Sequence, residues 1–341
     1  MGTPCIAAVA TAVPRWRYEQ ATVLRMTGYA DAQRRGFFDH SDIDGRYLFM
    51  DPATFTPDES VDDLAERYRR GALELSGEAV ARAVERAGWT LADVDFLGTT
   101  TCTGRLCPSL DAHLVSRLGL RPGVQRVHVG DTGCASAMVG LQQAWNHLRA
   151  FPDHRAVVVA VEICSTTYFD DERLESAVAH AIFADGAGAV ALDTSGRGPA
   201  IVAHRTLFRP EHLSAMGFEY PGGRPRVVLS KDVRRIGAGM MQEMADCLLA
   251  AGGLKREDVR HFVLHSAGRR VIDRASRLLG LDEAQVAHAR QVLRRYGNMS
   301  SATVLFVLEQ TLRAGHPAPG DWGLMIALGP GFAAEGALLR W

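Results

Sequence analysis

The sequence predicts an α/β fold assembled from two copies of one unit, and three observations predict it. The run Gly133-Cys134-Ala135-Ser136-Ala137-Met138-Val139-Gly140-Leu141 lines up with Gly297-Asn298-Met299-Ser300-Ser301-Ala302-Thr303-Val304-Leu305. Each is a glycine-led turn that runs straight into small and apolar residues at helical spacing. Upstream, Ala87 to Leu97 repeats as Ala251 to Phe262 with one residue inserted, and carrying that match forward sets His265 opposite Thr100. Finally, strand-like and helical runs alternate along the chain, as an α/β body requires.

Taken in order, Ile6 to Val13 is a short apolar run that reads as a buried first strand and is too short to span a bilayer. Glu59 to Ala87 carries long helical periodicity. Val94 to Thr99 is a buried strand, and Leu110 to Leu118 is a helix stopped by Gly119. A strand over Val124 to Val129 leads to the Cys134 turn and its helix, and another strand follows over Ala156 to Val161. Asp185 to Leu192 reads as a tight turn into a buried strand, with Gly323 to Leu328 in register with Ala156 to Val161. Residues 14–58 and 203–231 break the rhythm, being polar, aromatic or proline-rich, and are expected as surface insertions that shape an entrance. No low-complexity linker is present, so the halves 1–195 and 196–341 meet at a seam inside one body.

A chain of 341 residues with 47% hydrophobic content can bury a sizeable core. A formal charge of −1 gives no reason to expect nucleic acid or an anionic membrane as partner. Six cysteines in no dense pattern, without a secretory signal, point to a reducing cytoplasm. Cys102 and Cys107 lack a second pair at ligand spacing, so no metal site is expected. Gly186 and Gly188 do not complete a dinucleotide fingerprint.

A pseudo-twofold arrangement brings equivalent helix starts together, which would gather Cys134, His265 and Asn298. A cysteine at a helix N-terminus has its thiolate favoured by the dipole and by free N–H groups, and an imidazolium beside it adds to that effect. The expectation is therefore a thiolate nucleophile at neutral pH, with histidine and asparagine donating hydrogen bonds to a developing oxyanion. Acyl transfer is the matching reaction class. Cys5, Cys164 and Cys247 read as small buried hydrophobes.

Several motifs together resemble one family. Tyr296 to Leu308 is similar to the asparagine segment of type III polyketide synthases, the chalcone-synthase-like members of the thiolase superfamily. Leu328-Gly329-Pro330-Gly331-Phe332 resembles their C-terminal Gly-Pro-Gly loop, and Phe183-Ala184-Asp185-Gly186-Ala187 their Phe-Gly-Asp-Gly-Ala turn. His265-Ser266-Ala267-Gly268 stands where the family has His-Pro-Gly-Gly, and Ala327-Leu328 replaces a Gly-Phe pair. Thr101-Cys102-Thr103-Gly104 and Pro108-Ser109-Leu110 resemble the bacterial branch, which includes the dihydroxyphenylacetyl-CoA synthases.

The resemblance implies thiolase-like duplicated halves in a layered αβαβα body and a homodimer. It implies that Cys134 carries the acyl group while His265 and Asn298 hold the thioester oxygen of malonyl-CoA during decarboxylation. Malonyl-CoA and an acyl-CoA starter are then the substrates, and no cofactor is needed. Gly329, Pro330 and Gly331 are implied at the substrate, with Arg34 and Arg35 near the CoA phosphates. Tyr168, lying between the strand at Ala156 to Val161 and the acidic run Asp170-Asp171-Glu172, is expected to cap the pocket as an aromatic gate. A β-ketoacyl-carrier-protein synthase III shares the Cys-His-Asn set and is the nearest alternative. A catalytically silent partner subunit is the alternative of another class, and retention of all three residues argues against it.

Overall fold

The computed structural model describes residues 2–56, 58–169 and 173–341, apart from the side chain of Arg234. The chain opens with β1 (Cys5–Ala12), then a small unit of β2 (Arg17–Glu19), α1 (Gln20–Thr27), α2 (Ala32–Asp39) and β3 (Gly45–Tyr47). The first half continues through α3 (Val61–Arg86), β4 (Phe96–Thr101), α4 (Leu110–Leu118), β5 (Gln125–Gly130), α5 (Ser136–Ala150), β6 (Ala156–Ile163), α6 (Leu174–Ile182) and β7 (Asp185–Asp193). The second half begins with β8 (Ala200–Phe208), the hairpin strands β9 (Met216–Glu219) and β10 (Arg226–Leu229), and α7 (Val233–Gly252). It ends with β11 (Val259–Leu264), α8 (Arg269–Leu279), α9 (Glu283–Tyr296), α10 (Thr303–Ala314), β12 (Trp322–Gly329) and β13 (Ala333–Arg340).

Local sequence explains where the longest helices begin and stop. Ser60 caps α3 by accepting from the Asp63 N–H while the Asp63 carboxylate accepts from the Ser60 N–H, which satisfies two otherwise orphaned donors. Gly119 ends α4 in the left-handed conformation that costs glycine nothing. The strand β6, Ala-Val-Val-Val-Ala-Val-Glu-Ile, is buried on both faces and so shows no alternation.

Nine strands run in the order β11-β12-β13-β8-β1-β7-β6-β4-β5. The duplication is visible in the pairing: β4-β6-β7-β1 and β11-β12-β13-β8 each go parallel, antiparallel, antiparallel. Among the described residues only β5 lacks a counterpart in the second half. The halves join at one register pair, Cys5 with Ala200. Helices α5 and α10 touch strands of both halves and form the central layer. Helix α3 covers the outer face of the first half, and α7 covers that of the second, giving the layered αβαβα body. Residues 14–58 differ from the expectation of an entrance-shaping insertion. They fold around their own cluster of Tyr18, Val23, Phe38, Leu48 and Met50, and they do not line the cavity beside Cys134.

Packing of α5 on the sheet depends on Gly140, where a Cβ would stand 2.8 Å from Thr100 Cγ2 and 2.9 Å from Val158 Cγ1. Gly239, exposed on α7, has no atom within 4 Å of an added Cβ. Gly140→Ala is therefore expected to lower unfolding stability by about 1–3 kcal/mol, while Gly239→Ala raises it by roughly 0.5–1 kcal/mol. Chemical denaturation of the two variants checks this, and equal effects of the same sign would contradict the central-layer packing.

Candidate active site

Cys134 lies in the 3₁₀ turn Gly133–Ala135 that leads into α5. Gly133 has φ +59, and an added Cβ would stand 2.0 Å from Pro330 Cδ. Gly329 is equally tight, its Cβ direction meeting Thr132 O at 2.6 Å. The Gly329-Pro330-Gly331 loop thus wedges the nucleophile turn in place, and Pro330 also lines the cavity in front of Cys134. Gly331 takes φ +70 against Phe208.

The equivalent turn of the second half is Ser300–Ala302, entering α10. The Asn298 Oδ1 accepts from the Ser300 N–H at 2.9 Å and from Thr303 Oγ1 at 3.2 Å, which fixes the amide so that its NH₂ points away from these donors. One hydrogen of that NH₂ reaches Ala267 O at 3.3 Å, and the other is left for a ligand. Asn298 is buried and its backbone bonds to Ile182 and Ala184, so the residue cannot swing.

His265 follows β11, held by its N–H on Ile326 O at 2.9 Å. It is 1% exposed, and among the described residues neither ring nitrogen has a hydrogen-bond partner. Burial pushes its pKa down to about 4. Burial likewise pushes the Cys134 thiol up to about 12, and its Sγ lies 3.2 Å from Ser300 Oγ. Burial thus disfavours the charged form of each, against the resting thiolate expected from the sequence. The physical reason is desolvation of the half-buried sulfur and the buried ring, which works against the free N–H groups of the helix start. Ser266, in place of proline, bonds Ala289 O at 2.7 Å and pins this loop to α9.

Glu162 was not anticipated. Ending the apolar strand β6 with no exposure, it accepts from Cys102 N at 3.0 Å, Thr103 Oγ1 at 2.9 Å and Ser301 Oγ. Burial raises its pKa against the lowering effect of these bonds. Cys102 Sγ in turn stands 3.4 Å from Ser300 Oγ, linking this network to the nucleophile. A lone carboxylate in an otherwise apolar strand was the available signal.

The cavity beside Cys134, about 40 Å³, is lined by Ser300, Cys102, Thr103, Cys164 and Thr167. Phe183 and the hairpin residues Met216, Phe218, Val227 and Leu229 add apolar lining, so the 203–231 insertion does shape the site. Tyr168 does not. Its ring is 2% exposed and its hydroxyl donates to His180 O at 2.7 Å and Phe183 O at 3.2 Å, in the cluster around Tyr18 and Phe38. The expectation of Tyr168 as gate is corrected: the neighbouring backbone turns it into the core, and Phe183 and Phe218 are the aromatic residues at the cavity. Asp170, Asp171 and Glu172, expected to form an acidic turn, lie outside the described residues. Asp31 caps α2 by accepting from the Arg34 N–H and also pairs with the Arg34 guanidinium at 2.9 Å, and neither Arg34 nor Arg35 lines the cavity. Among the described residues no group of three His, Cys, Asp or Glu could hold a metal, and no helix is long and apolar enough to cross a membrane.

Residues 54–196 match the family model of the chalcone and stilbene synthase N-terminal domain, and 249–341 match that of the 3-oxoacyl-[acyl-carrier-protein] synthase III C terminus. The 3,5-dihydroxyphenylacetyl-CoA synthase of Streptomyces toyocaensis is 34% identical over 99% of this chain and 90% of that protein. The 1,3,6,8-tetrahydroxynaphthalene synthase of Streptomyces peucetius subsp. caesius is 33% identical over 98% of this chain and 93% of its own length. The crystal structure of PKS-I from the brown alga Ectocarpus siliculosus superposes with a TM-score of 0.91 at 29% identity, covering 100% of this chain and 98% of that one. With such identity over nearly the full length, a shared thiolase-like fold and the N-terminal family match, the chain belongs to the type III polyketide synthases, acyltransferases of the chalcone-synthase-like kind.

Proposed function

We propose that the protein extends an acyl group carried on Cys134 by decarboxylative condensation with malonyl-CoA, giving a small aromatic or pyrone product. The observation that carries this reading is the buried His265 ring, whose two nitrogens have no partner although buried polar groups nearly always find one. A ring nitrogen and the spare Asn298 hydrogen are then available to one carbonyl oxygen. Cys134 attacks the starter thioester, its proton passing by way of His265 to the departing CoA sulfur. Malonyl-CoA next loses CO₂ and leaves an enolate, whose oxygen takes hydrogen bonds from His265 and Asn298 in a water-poor site where such donors act most strongly. The enolate carbon bonds to the acyl carbon, the C–S bond to Cys134 breaks, and the chain leaves two carbons longer on CoA. These steps need no metal or organic cofactor. The small cavity and its apolar wall of Phe183, Met216 and Phe218 favour a short starter and a compact ring.

We also place a second copy of the chain along β5. That strand pairs only with β4, its residues are exposed or half-buried, and an unpaired edge of this kind recruits another strand. The six free cysteines suit a cytoplasmic enzyme.

Three outcomes are expected. In His265→Ala, alkylation of Cys134 by iodoacetamide at pH 7 falls by at least ~10²-fold, because no base then takes the thiol proton as the sulfur attacks, and the rate instead follows the free thiolate, climbing about tenfold per pH unit into the alkaline range. Exposed Cys107 reacts as before, and an unchanged Cys134 rate would remove His265 from the mechanism. Asn298→Ala still accepts an acyl group on Cys134, seen by intact-protein mass spectrometry, while CO₂ release from malonyl-CoA drops by about 10²–10³-fold. Full CO₂ release would show that Asn298 serves only the fold. Sedimentation at micromolar concentration gives a dimer; an active monomer would rule out the β5 contact as part of the working enzyme.

A further inference from the structure

Arg46, on β3, is completely buried, and its guanidinium donates to two uncharged oxygens. Nη1 reaches Phe183 O and Nη2 reaches Gln20 Oε1, each at 2.8 Å. A cation taken out of water in this way needs something to offset its lost hydration. Here that is the end of α6, whose last residue is Ile182. The final carbonyls of a helix have no partner inside it and carry the negative end of its dipole, so a positive side chain beside them is favoured. The Asp185 carboxylate adds a Coulombic attraction.

Those carbonyls are divided between two parts of the chain. Ala181 O takes a bond from Gln20 Nε2 at 2.8 Å and Phe183 O takes one from Arg46, both donors belonging to the 14–58 unit. Between them, Ile182 O accepts from the Asn298 N–H at 2.8 Å, and the Ala184 N–H donates to Asn298 O at 2.8 Å. Phe183, at φ −78 and ψ 150, is extended, and successive peptide groups of extended backbone point to opposite sides. The strip 181–184 is therefore held along one edge by Gln20 and Arg46, and it holds Asn298 along the other. Phe183 also lines the cavity beside Cys134. The stem of Arg46 packs next to this junction, since a Cβ on Gly297 would stand 3.4 Å from Arg46 Cδ. Tyr168 shares Phe183 O at 3.2 Å, but its one hydroxyl hydrogen has a shorter bond to His180 O at 2.7 Å, which leaves Arg46 as the main donor.

We infer that Arg46 is a positioning residue for the decarboxylation step: it fixes the Phe183 carbonyl and, through the strip 181–184, the backbone from which the Asn298 amide is presented. A guanidinium suits the task because its planar fork engages two oxygens at once and stays charged when buried. An oxyanion donor acts at full strength only within roughly 0.5 Å of its productive position. The 14–58 unit, which does not line the cavity beside Cys134, supplies that precision from behind. This inference rests on the reading that Asn298 serves CO₂ release from malonyl-CoA.

The test follows two half-reactions of the full-length protein: loading of Cys134 from acetyl-CoA, read by intact-protein mass spectrometry, and CO₂ release from malonyl-CoA. Arg46→Met is expected to cut kcat for CO₂ release by roughly 10–10²-fold while loading stays within about twofold. Arg46→Lys keeps a charged donor for Phe183 O and gives up the Gln20 bond, and it is expected to release CO₂ about tenfold faster than Arg46→Met. A residue that only fills the core would lower both half-reactions together with the folded fraction, so equal losses overturn the inference. A lysine variant no faster than the methionine variant overturns it too. If Arg46→Met does not fold, Gln20→Met decides, because it leaves the charge in place while removing the partner that orients Arg46 and bonds Ala181 O. Selective loss of CO₂ release in that variant supports the inference, whereas full CO₂ release or an equal loss in loading overturns it. No CO₂ release from the unmodified protein would refute the proposed condensation itself, and this inference with it.

Discussion

The centre of the molecule depends on one buried carboxyl group. Glu162 belongs to β6 in the first half, and one of its hydrogen-bond donors, Ser301, belongs to the turn before α10 in the second. Its other donors, Cys102 and Thr103, follow β4. A carboxyl group in an apolar interior is tolerated only with such a set of partners, and losing one leaves the rest unpaired at a cost of several kcal/mol. Glu162 therefore registers the two halves against each other at the point where Cys134 and Ser300 meet. The shapes around it are just as constrained, since neither Gly133 nor Gly329 has room for a side chain against the opposing loop.

This constraint also explains the electrostatic state of the site. The same desolvation that would strengthen hydrogen bonds to an enolate disfavours the charged forms of the Cys134 thiol and the His265 ring. Ser300 is the hydrogen-bond partner of the thiol. A neutral His265 ring can both donate and accept at a carbonyl.

Much of the fold was legible in the sequence because it rests on local periodicity and on the duplication. Helix α4 begins and ends where the apolar spacing and Gly119 put it, and β1, β6 and β12 fall within a residue or two of expectation. The repeat paired Cys134 with Asn298, but the structure shifts that register: the turn Gly133–Ala135 corresponds to Ser300–Ala302, so Cys134 matches Ser301 and Asn298 precedes its turn. Direction of side chains was not legible. Tyr168 and Phe183 both follow regular elements, and only the packing of α6 on the 14–58 unit decides that the tyrosine turns inward while the phenylalanine faces the cavity. Glu162 escaped notice because its partners come from two distant stretches of chain, one in each half, a contact that no spacing rule encodes.

The unmatched strand β5 has a consequence for growth by sheet extension. At the other end of the sheet, β11 is packed against α9 and α10, and its last three residues are buried. A sheet with two open ends can add copies without limit and form a fibre. One with a single open end can add only one copy, after which no free strand remains. Having five strands in one half and four in the other thus gives the sheet one exposed end strand, β5, and one largely buried one, β11, so that its two ends are unequal as sites for adding another strand.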